Sequence, residues 1–410
     1  MRSLLTVLCL TASGFAGAAE AAANLPMPVG SIKVPVGAHP DFDVASDSAR
    51  TTMHFAWRSG EILSYAASRD GGVTWSPPRV IATAMRGGVR MAVDSRGVLH
   101  VVYATGKAGM PRERIGSLVW HRAWDGKRWT EPVEALQVKP VEGAEYQVSA
   151  PRIAIDGKDN VHVIGWKLIH DDRNWKTRMR CAYARKPRGR RAFEPAEEFS
   201  LGRDQEGGGG TGDIVTDHSG DVHLFYVGYG PSRWQTTHFV RRKTGEWSGK
   251  VDVFRGAGTD FGIRAAVDRD RVLHIAGQTV SYQNPKPWLP VYWTYFNNRA
   301  NPDEIQPVHQ VADVWEFGTD LLLRPNGDVW ISRGHWQKDE PFPWMGRYMR
   351  LDAAGSKWSE PVNLSPDGYR NADAKYNQVP RFTVYDGKVR IFYAEAAPGG
   401  PFRFLQRILE

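Results

Sequence analysis

The sequence is poor in cysteine, with two in 410 residues. Cys9 lies in an apolar N-terminal segment, so Cys181 is expected to be the only thiol of an exported chain. A single thiol excludes an intramolecular disulfide, even in an oxidising compartment. It also excludes a zinc site of the Cys-x-x-Cys kind. The stability of the fold must therefore come from its core.

Long apolar runs are absent after the N-terminus. Arg2, the apolar run over 4–10 and the small residues at 16–18 form the three regions of a secretory signal. The run is too short to span a bilayer. We therefore expect a signal peptide over 1–23, one domain over 24–410, a secreted or periplasmic product, and no membrane span.

Positively charged residues are in modest excess. The net charge is +8 with 24% charged residues, and the basic residues are dispersed along the chain. Such a balance favours polyanionic partners. Neither a recognition helix nor an RNA-binding strand motif is present, which argues against nucleic acid and leaves an anionic polysaccharide or oligosaccharide as the expected partner.

An internal repeat is the main positive feature. Four copies place an aspartate six residues before a histidine: Asp94 and His100, Asp156 and His162, Asp217 and His223, and Asp268 and His274. The frame continues in related segments at 53–57, 326–330 and 386–390. Seven copies of a segment of about 50 residues indicate a repeat architecture.

Each copy has the pattern of four short strands. A strand ends at the aspartate, a turn follows, an alternating strand such as 222–226 comes next, and an aromatic strand leads to a turn with Trp. Four short strands form a propeller blade. We predict an all-β fold, a seven-bladed β-propeller of four-stranded antiparallel blades. Residues 31–34 would close the ring and remove its free edges, so we expect a monomer.

One motif resembles a known family. The segment 68–75 matches the Asp box, S-x-D-x-G-x-T-W, of BNR-repeat propellers of the sialidase superfamily, and shorter versions occur at 124–129, 244–247 and 354–358. In this motif Asp and hydroxyl side chains satisfy turn amides while Trp packs between sheets. The motif therefore indicates fold and not catalysis.

Along its whole length the chain resembles BNR-repeat propellers that include ulvan lyases and L-rhamnose/D-glucuronate lyases. That resemblance implies β-elimination in a uronate polysaccharide, with two histidines of an early blade joined by Tyr and Arg from the following blades. The implied catalytic residues are His100, His121, Arg180 and Tyr229. The implied sugar-binding residues are Arg233, Trp166, His170 and Trp234. No cofactor is required, although the resemblance allows a structural calcium ion in the channel.

The chemistry explains these residue types. A cation must neutralise the uronate carboxylate before the C5 proton can be removed. A neutral imidazole, with a pKa near about 6.5, serves as base unaided, whereas a phenol near about 10 needs a cationic neighbour. His121 is therefore the expected acid or base, with His100 as its partner.

Three alternatives stay open. His100 occupies a repeated slot, which favours a structural role and a noncatalytic glycan-binding propeller. A glycoside hydrolase on this fold would instead need two facing carboxylates. Arginines also recur in the predicted innermost strands, and they form either a ring of cations near the axis or a structural position: Arg90, Arg152, Arg264 and Arg381.

Overall fold

The computed structural model describes residues 27–34, 41–47, 51–106, 117–137, 145–171, 176–199, 212–229, 234–248, 251–252, 258–259, 263–280, 289–296, 306–307, 314–337, 344–353, 358–364, 379–396 and 402–409. The predicted signal segment 1–23 lies outside them. These parts contain strands and turns but no helix, and hence no helix long and apolar enough to cross a membrane.

The strands form seven antiparallel sheets, six of which, called blades 1 to 6, consist of consecutive strands. Blade 1 contains β2 (Asp41–Asp47), β3 (Thr52–Ser59), β4 (Ile62–Ser68) and β5 (Arg79–Ala82). Blade 2 contains β6 (Met85–Val93), β7 (Leu99–Gly106), β8 (Ser117–Trp124) and β9 (Val133–Glu134). Blade 3 contains β10 (Glu145–Ile155), β11 (Val161–Asp171), β12 (Lys176–Lys186) and β13 (Glu197–Phe199).

The second half of the chain repeats this order. Blade 4 contains β14 (Asp213–Thr216), β15 (Val222–Tyr229), β16 (Trp234–Arg241) and β17 (Val251–Asp252). Blade 5 contains β18 (Gly258–Thr259), β19 (Arg264–Val267), β20 (Val272–Val280), β21 (Leu289–Phe296) and β22 (Gln306–Pro307). Blade 6 contains β23 (Val314–Leu323), β24 (Val329–Gln337), β25 (Trp344–Leu351) and β26 (Val362–Asn363).

The last sheet joins both ends of the chain, and we call it the closing sheet. It contains β1 (Met27–Val34), β27 (Arg381–Tyr385), β28 (Lys388–Ala396) and β29 (Phe402–Ile408). The predicted closing strand 31–34 is thus confirmed as part of β1, which pairs antiparallel with β29. Pairing β1 with β29 covers an edge that would otherwise be free.

The all-β propeller prediction is confirmed, but the prediction of seven four-stranded blades needs two corrections. Only six blades are continuous in the sequence, because the last repeat takes its outermost strand from the N-terminus. Blade 5 has five strands instead of four, since β18 and β19 both pair with β20. Two short strands take the place of one long innermost strand there.

The repeated aspartate fixes the turn between the first and second strands. In blade 2 the Oδ1 atom of Asp94 accepts hydrogen bonds from the backbone N–H groups of Arg96 at 3.0 Å and Val98 at 2.8 Å. Asp156 and Asp217 accept the corresponding pairs in blades 3 and 4. A short side-chain acceptor in a turn satisfies amides that the strands leave unpaired.

Segment 68–75 forms a similar turn between β4 and β5. Ser68 Oγ accepts from the N–H of Gly72 at 2.7 Å, and Asp70 accepts from the N–H of Thr74 at 2.9 Å. The Gly72 carbonyl then accepts from Trp75 Nε1 at 3.0 Å and from the Nε2 amide of Gln406 at 2.8 Å. This turn therefore joins blade 1 to the closing sheet.

Strand direction defines two faces of the propeller. The first two strands of each blade are joined at the turn face, which carries the Asp94, Asp156 and Asp217 turns. The second and third strands are joined at the opposite end, where the chain also passes to the next blade. We call that end the connection face.

Candidate functional site

The innermost strands carry one charged residue each at an equivalent position, which we call the charged ring. Each of these residues lies opposite the residue two places after the repeated histidine slot, as Arg90 lies opposite Val102 and Arg152 opposite Ile164. The seven members, in chain order, are Asp43, Arg90, Arg152, Asp213, Arg264, Asp320 and Arg381.

The ring lies four residues before the turn aspartates Asp94, Asp156 and Asp217, partway along strands that start at the connection face. Asp213, Arg264 and Arg381 are the first residues of β14, β19 and β27, the strands that enter the channel from that face. All three are buried, with 5–8% of their surface exposed. The ring therefore forms a charged layer partway along the channel.

Each aspartate of the ring clamps the next blade. The Oδ2 atom of Asp43 accepts from the N–H of Met91 at 2.7 Å, directly after Arg90. Asp213 does the same to Ala265 at 2.9 Å, directly after Arg264. Asp320 does the same to Phe382 at 2.8 Å, after Arg381. At three contacts between neighbouring sheets, an aspartate carboxylate thus accepts a hydrogen bond from a backbone N–H group of the next sheet.

The arginines of these clamps have close carboxylates. Arg90 lies 3.3 Å from Asp41, which precedes the ring in β2. Arg264 lies 3.3 Å from Asp320, and Arg381 lies 3.5 Å from the same group. Burial lowers the pKa of Arg381 to about 10, and the neighbouring Arg90 and Arg264 act in the same direction. The predicted ring of cations exists, but it is interleaved with anions.

The three aspartates of the ring were not predicted. The recurring arginines form a visible sequence pattern only in blades 2, 3 and 5 and in the closing sheet. Asp43, Asp213 and Asp320 occupy the arginine position in blades 1, 4 and 6. Counting from the histidine slot would have found them.

A second charged cluster lies in blade 3. Lys167 in β11 is buried, with 1% exposed, and its Nζ contacts both carboxylate oxygens of Glu198 in β13 at 2.9 and 3.1 Å. Arg180, a predicted catalytic residue, lies opposite Lys167 in register and approaches the same carboxylate at 3.4 Å. About a third of the Arg180 side chain, 35%, is exposed. Two cations therefore share one anion. Lys167 and Glu198 were not predicted.

The two predicted catalytic histidines do meet. The Nδ1 atom of His100 lies 3.0 Å from the Nε2 atom of His121. However, only 5% and 1% of these residues are exposed, and His121 packs edge-on against Phe193 of blade 3. Burial lowers the pKa of both imidazoles, and Lys186 lowers that of His121 further. The pair lies between two blades, where a polysaccharide cannot reach it in this conformation.

The same arrangement recurs where no catalysis was predicted. In blade 4, His223 Nδ1 lies 3.1 Å from His238 Nε2. In blade 3 a tyrosine replaces the second imidazole, with 2.9 Å between His162 Nδ1 and the Tyr183 hydroxyl. Repetition of the contact favours a structural role for the slot. The catalytic assignment of His100 and His121 stays a prediction that this geometry disfavours.

Four of the remaining predicted residues belong to the connection-face halves of strands in blades 3 and 4. Trp166 is half-buried in β11, and His170 follows in the same strand opposite Thr177. Tyr229 ends β15 opposite Trp234, which begins β16. Arg233 lies in the connection between these strands, outside the described residues. Arg180, His170 and Tyr229 are therefore on neighbouring blades, whereas His100 is near the opposite end of its strand, next to the Asp94 turn.

The described residues do not fit the calcium ion that the resemblance allows. Calcium takes six to eight oxygen ligands. Among the residues described, no group of three or more His, Cys, Asp or Glu side chains could hold a metal ion. Asp43, Asp213 and Asp320, the channel carboxylates of the ring, each accept a backbone N–H and lie beside arginines.

Comparison with known proteins identifies the fold but not the activity. No family model matches the chain, and no curated protein matches it. Among solved structures, an ulvan lyase of polysaccharide lyase family PL25 is 12% identical with a TM-score of 0.56. The match covers 93% of this chain and 95% of that one. The same lyase is also known bound to -[GlcA(1-4)Rha3S]-.

Two further structures are similar over most of their length. The polysaccharide lyase Uly1 is 9% identical, with a TM-score of 0.56 and coverage of 92% of this chain and 91% of that one. A protein of unknown function from Dyadobacter fermentans is 12% identical, with a TM-score of 0.53 and coverage of 93% and 99%. The chain thus has a fold like that of polysaccharide lyases. At these identities the likeness concerns the fold alone.

Proposed function

We propose that this protein is a polysaccharide lyase that cleaves a uronic-acid polysaccharide by β-elimination. The observation that best supports this proposal is the blade 3 cluster, in which Lys167 and Arg180 both contact the carboxylate of Glu198. Arg180 is the exposed cation of this cluster, whereas Lys167 is buried. The fold, which resembles that of two polysaccharide lyases, supports the proposal.

Elimination needs a cation at the uronate carboxylate. The C5 proton of a uronate is too weakly acidic to remove while the adjacent carboxylate is a full anion, and a fixed cation stabilises the charge that develops. A guanidinium does this well because it binds a carboxylate with two parallel hydrogen bonds. In the proposal Arg180 holds the uronate, and Lys167, which is buried, holds Glu198 and so positions Arg180.

In the proposal the base comes from the connection-face ends of strands in blades 3 and 4. The burial of His100 and His121 leaves His170 and Tyr229, at the connection-face ends of β11 and β15, as candidates to remove the proton. Of these, an imidazole serves as base at neutral pH without assistance. Trp166 and Trp234 are proposed to stack on sugar rings, with Arg233 as a further cation.

The test is the ultraviolet absorbance of an unsaturated uronate product. The purified protein is incubated with ulvan, gum arabic, rhamnose/glucuronate polysaccharides and glycosaminoglycans. We expect a rise with at least one of them. For Arg180→Ala we expect kcat/KM to fall by about 10²–10³-fold. The matched control is Arg185→Ala, because Arg185 lies in the same strand and pairs with Glu194 at 3.8 Å. Equal activity in both variants would remove Arg180 from the site.

A noncatalytic glycan-binding propeller is the second candidate. It is favoured by the burial of the only predicted histidine pair. In that case neither unsaturated products nor new reducing ends appear, while calorimetry still shows binding to one polysaccharide. New reducing ends without the ultraviolet band would instead indicate a glycoside hydrolase.

A further inference from the structure

The charged ring is regular except at one member. Counted around the propeller, its aspartates and arginines form three successive pairs, in which Asp43 precedes Arg90, Asp213 precedes Arg264 and Asp320 precedes Arg381. The seventh member, Arg152, follows another arginine and not an aspartate, because blade 2 contributes Arg90. Arg152 is therefore the one arginine of the ring that is not preceded by an aspartate.

Distances support this distinction. Arg90, Arg264 and Arg381 each have a carboxylate oxygen within 3.5 Å. For Arg152 the nearest carboxylate in the described residues is that of Asp213, at 4.0 Å, beyond hydrogen-bond range. That same carboxylate also lies 3.9 Å from Arg264. The Asp213 carboxylate thus lies at a similar distance from the guanidinium groups of Arg152 and Arg264 and is close to neither.

The hydrogen bonds of Arg152 are incomplete as well. Its Nη1 donates to the carbonyl of Pro151 at 3.1 Å, and its Nε, like that of Arg90 and Arg381, has no hydrogen-bond partner among the described residues. Only 6% of the residue is exposed, so water is largely excluded. A buried guanidinium with an unused donor and no close anion is expensive to maintain.

The surroundings of Arg152 place it facing the channel. Its charge interacts with Arg90 and Arg264 on either side, and with Arg381, which belongs to the closing sheet. Burial holds the pKa of the Arg152 guanidinium well below its usual value, and the positive charges of Arg264 and Arg90 lower it further. The residue also follows a break in strand register between Ser149 and Arg152, and such bulges re-aim side chains.

We propose that Arg152 is the centre of a binding site for one small carboxylate, held in the axial channel at the level of the charged ring. A carboxylate matches the planar donor fork of arginine and supplies the close negative charge that Asp213, at 4.0 Å, does not provide. Arg90 and Arg264 add favourable charge from both sides. The site does not depend on the proposed lyase activity, and its ligand is either a free carboxylate or the carboxylate of a sugar acid.

The test is saturation-transfer NMR on the whole protein at constant ionic strength, with sodium formate as the probe. We expect a saturable signal for the unmodified chain and a rise in Tm of about 2–5 °C at saturation. In Arg152→Gln the affinity should fall by about 10-fold or more, since a charged hydrogen bond is lost. The control, Arg188→Gln, removes a half-exposed cation and should bind formate normally.

A second arm identifies the source of the carboxylate. Sodium glucuronate replaces formate, and a saturable signal that requires Arg152 shows that a sugar acid reaches the ring. A signal with formate alone shows a site for small free carboxylates. Should Arg152→Gln fail to fold, Arg152→Lys keeps the charge without the planar fork, and weaker formate binding is expected. Equal formate affinity in the unmodified and variant proteins, or no saturable signal in the unmodified one, overturns the proposal.

Discussion

The imidazoles of His100 and His121 lie 3.0 Å apart, Nδ1 to Nε2, in the contact between blades 2 and 3. One proton can occupy that contact, so one ring donates and the other accepts. The Nε2 atom of His100 faces Asp94 at 3.6 Å. Protonation of both rings would place two N–H groups against each other. The contact therefore requires at least one neutral imidazole.

His121→Ala should reduce stability and leave chemistry unchanged. Loss of a buried ring and its hydrogen bond should lower the free energy of unfolding by about 2–4 kcal/mol. His238→Ala is the matched control, because it truncates the equivalent pair in blade 4. Urea unfolding measures the stability, and the ultraviolet assay measures turnover at a temperature where both variants are folded. A loss of turnover confined to His121→Ala would restore its catalytic assignment.

Acid should destabilise the propeller in two stages. The pKa values of His100, His121, His162 and His238 are lowered by burial. The unfolded chain therefore binds more protons than the native one once the pH falls below about 6.5, and stability decreases. Hydrogen bonds to the charged form hold the pKa of Asp94, Asp156 and Asp217 below its usual value. Their contribution is lost only below about pH 4.

Urea midpoints at pH 7.5, 5.5 and 3.5 test this order. A fall between the first two values that is smaller in His121→Phe would assign the first stage to the histidine pair. Constant stability between pH 7.5 and 5.5 would contradict the prediction.

Asp320→Asn should weaken the charged ring. The carboxylate lies beside Arg264 and Arg381 and accepts from the N–H of Phe382. Its loss leaves two buried cations with less compensation, and breaking such a cluster typically costs about 3–5 kcal/mol. Asp270→Asn, at an exposed position in a turn of blade 5, is the control and should be neutral. Equal unfolding free energies for the two variants would contradict a stabilising ring.

Gly212→Ala should disturb the entry of blade 4 into the channel. A Cβ atom there would lie 1.8 Å from the carbonyl oxygen of Phe225, so β14 must shift and move Asp213 with it. We expect a loss of about 1–3 kcal/mol or more in thermal or urea unfolding. Gly157→Ala is the control, because nothing lies within 4 Å of its Cβ position. A fully stable Gly212→Ala would mean that the strand adapts without cost.

Much of the fold could be predicted because each blade is local in sequence. The spacing of Asp94 and His100 specifies a turn and the strand after it, and three further copies repeat it. The proximity of His100 and His121 also followed from their consecutive strands. Their burial did not follow, because strand alternation tells which residues share a face but not which face the next blade covers.

The blade 3 cluster shows the same limit. Arg180 could be chosen from its strand, but Lys167 and Glu198 are brought to it only by the pairing of β11, β12 and β13. A lysine among apolar neighbours in a strand gives no indication of its partner. For that reason the cation was predicted and its counterion was not.

The sequence by itself determined the repeat, the turn chemistry and the strand that closes the ring, since these depend on residues within about one blade of each other. The tertiary structure alone decided which charges meet. Arg381 lies 4.0 Å from Asp43, a residue from the other end of the chain, only because the propeller closes. Closure also gives every channel residue two neighbours, so the lack of a close carboxylate at Arg152 is a property of the ring and not of any segment.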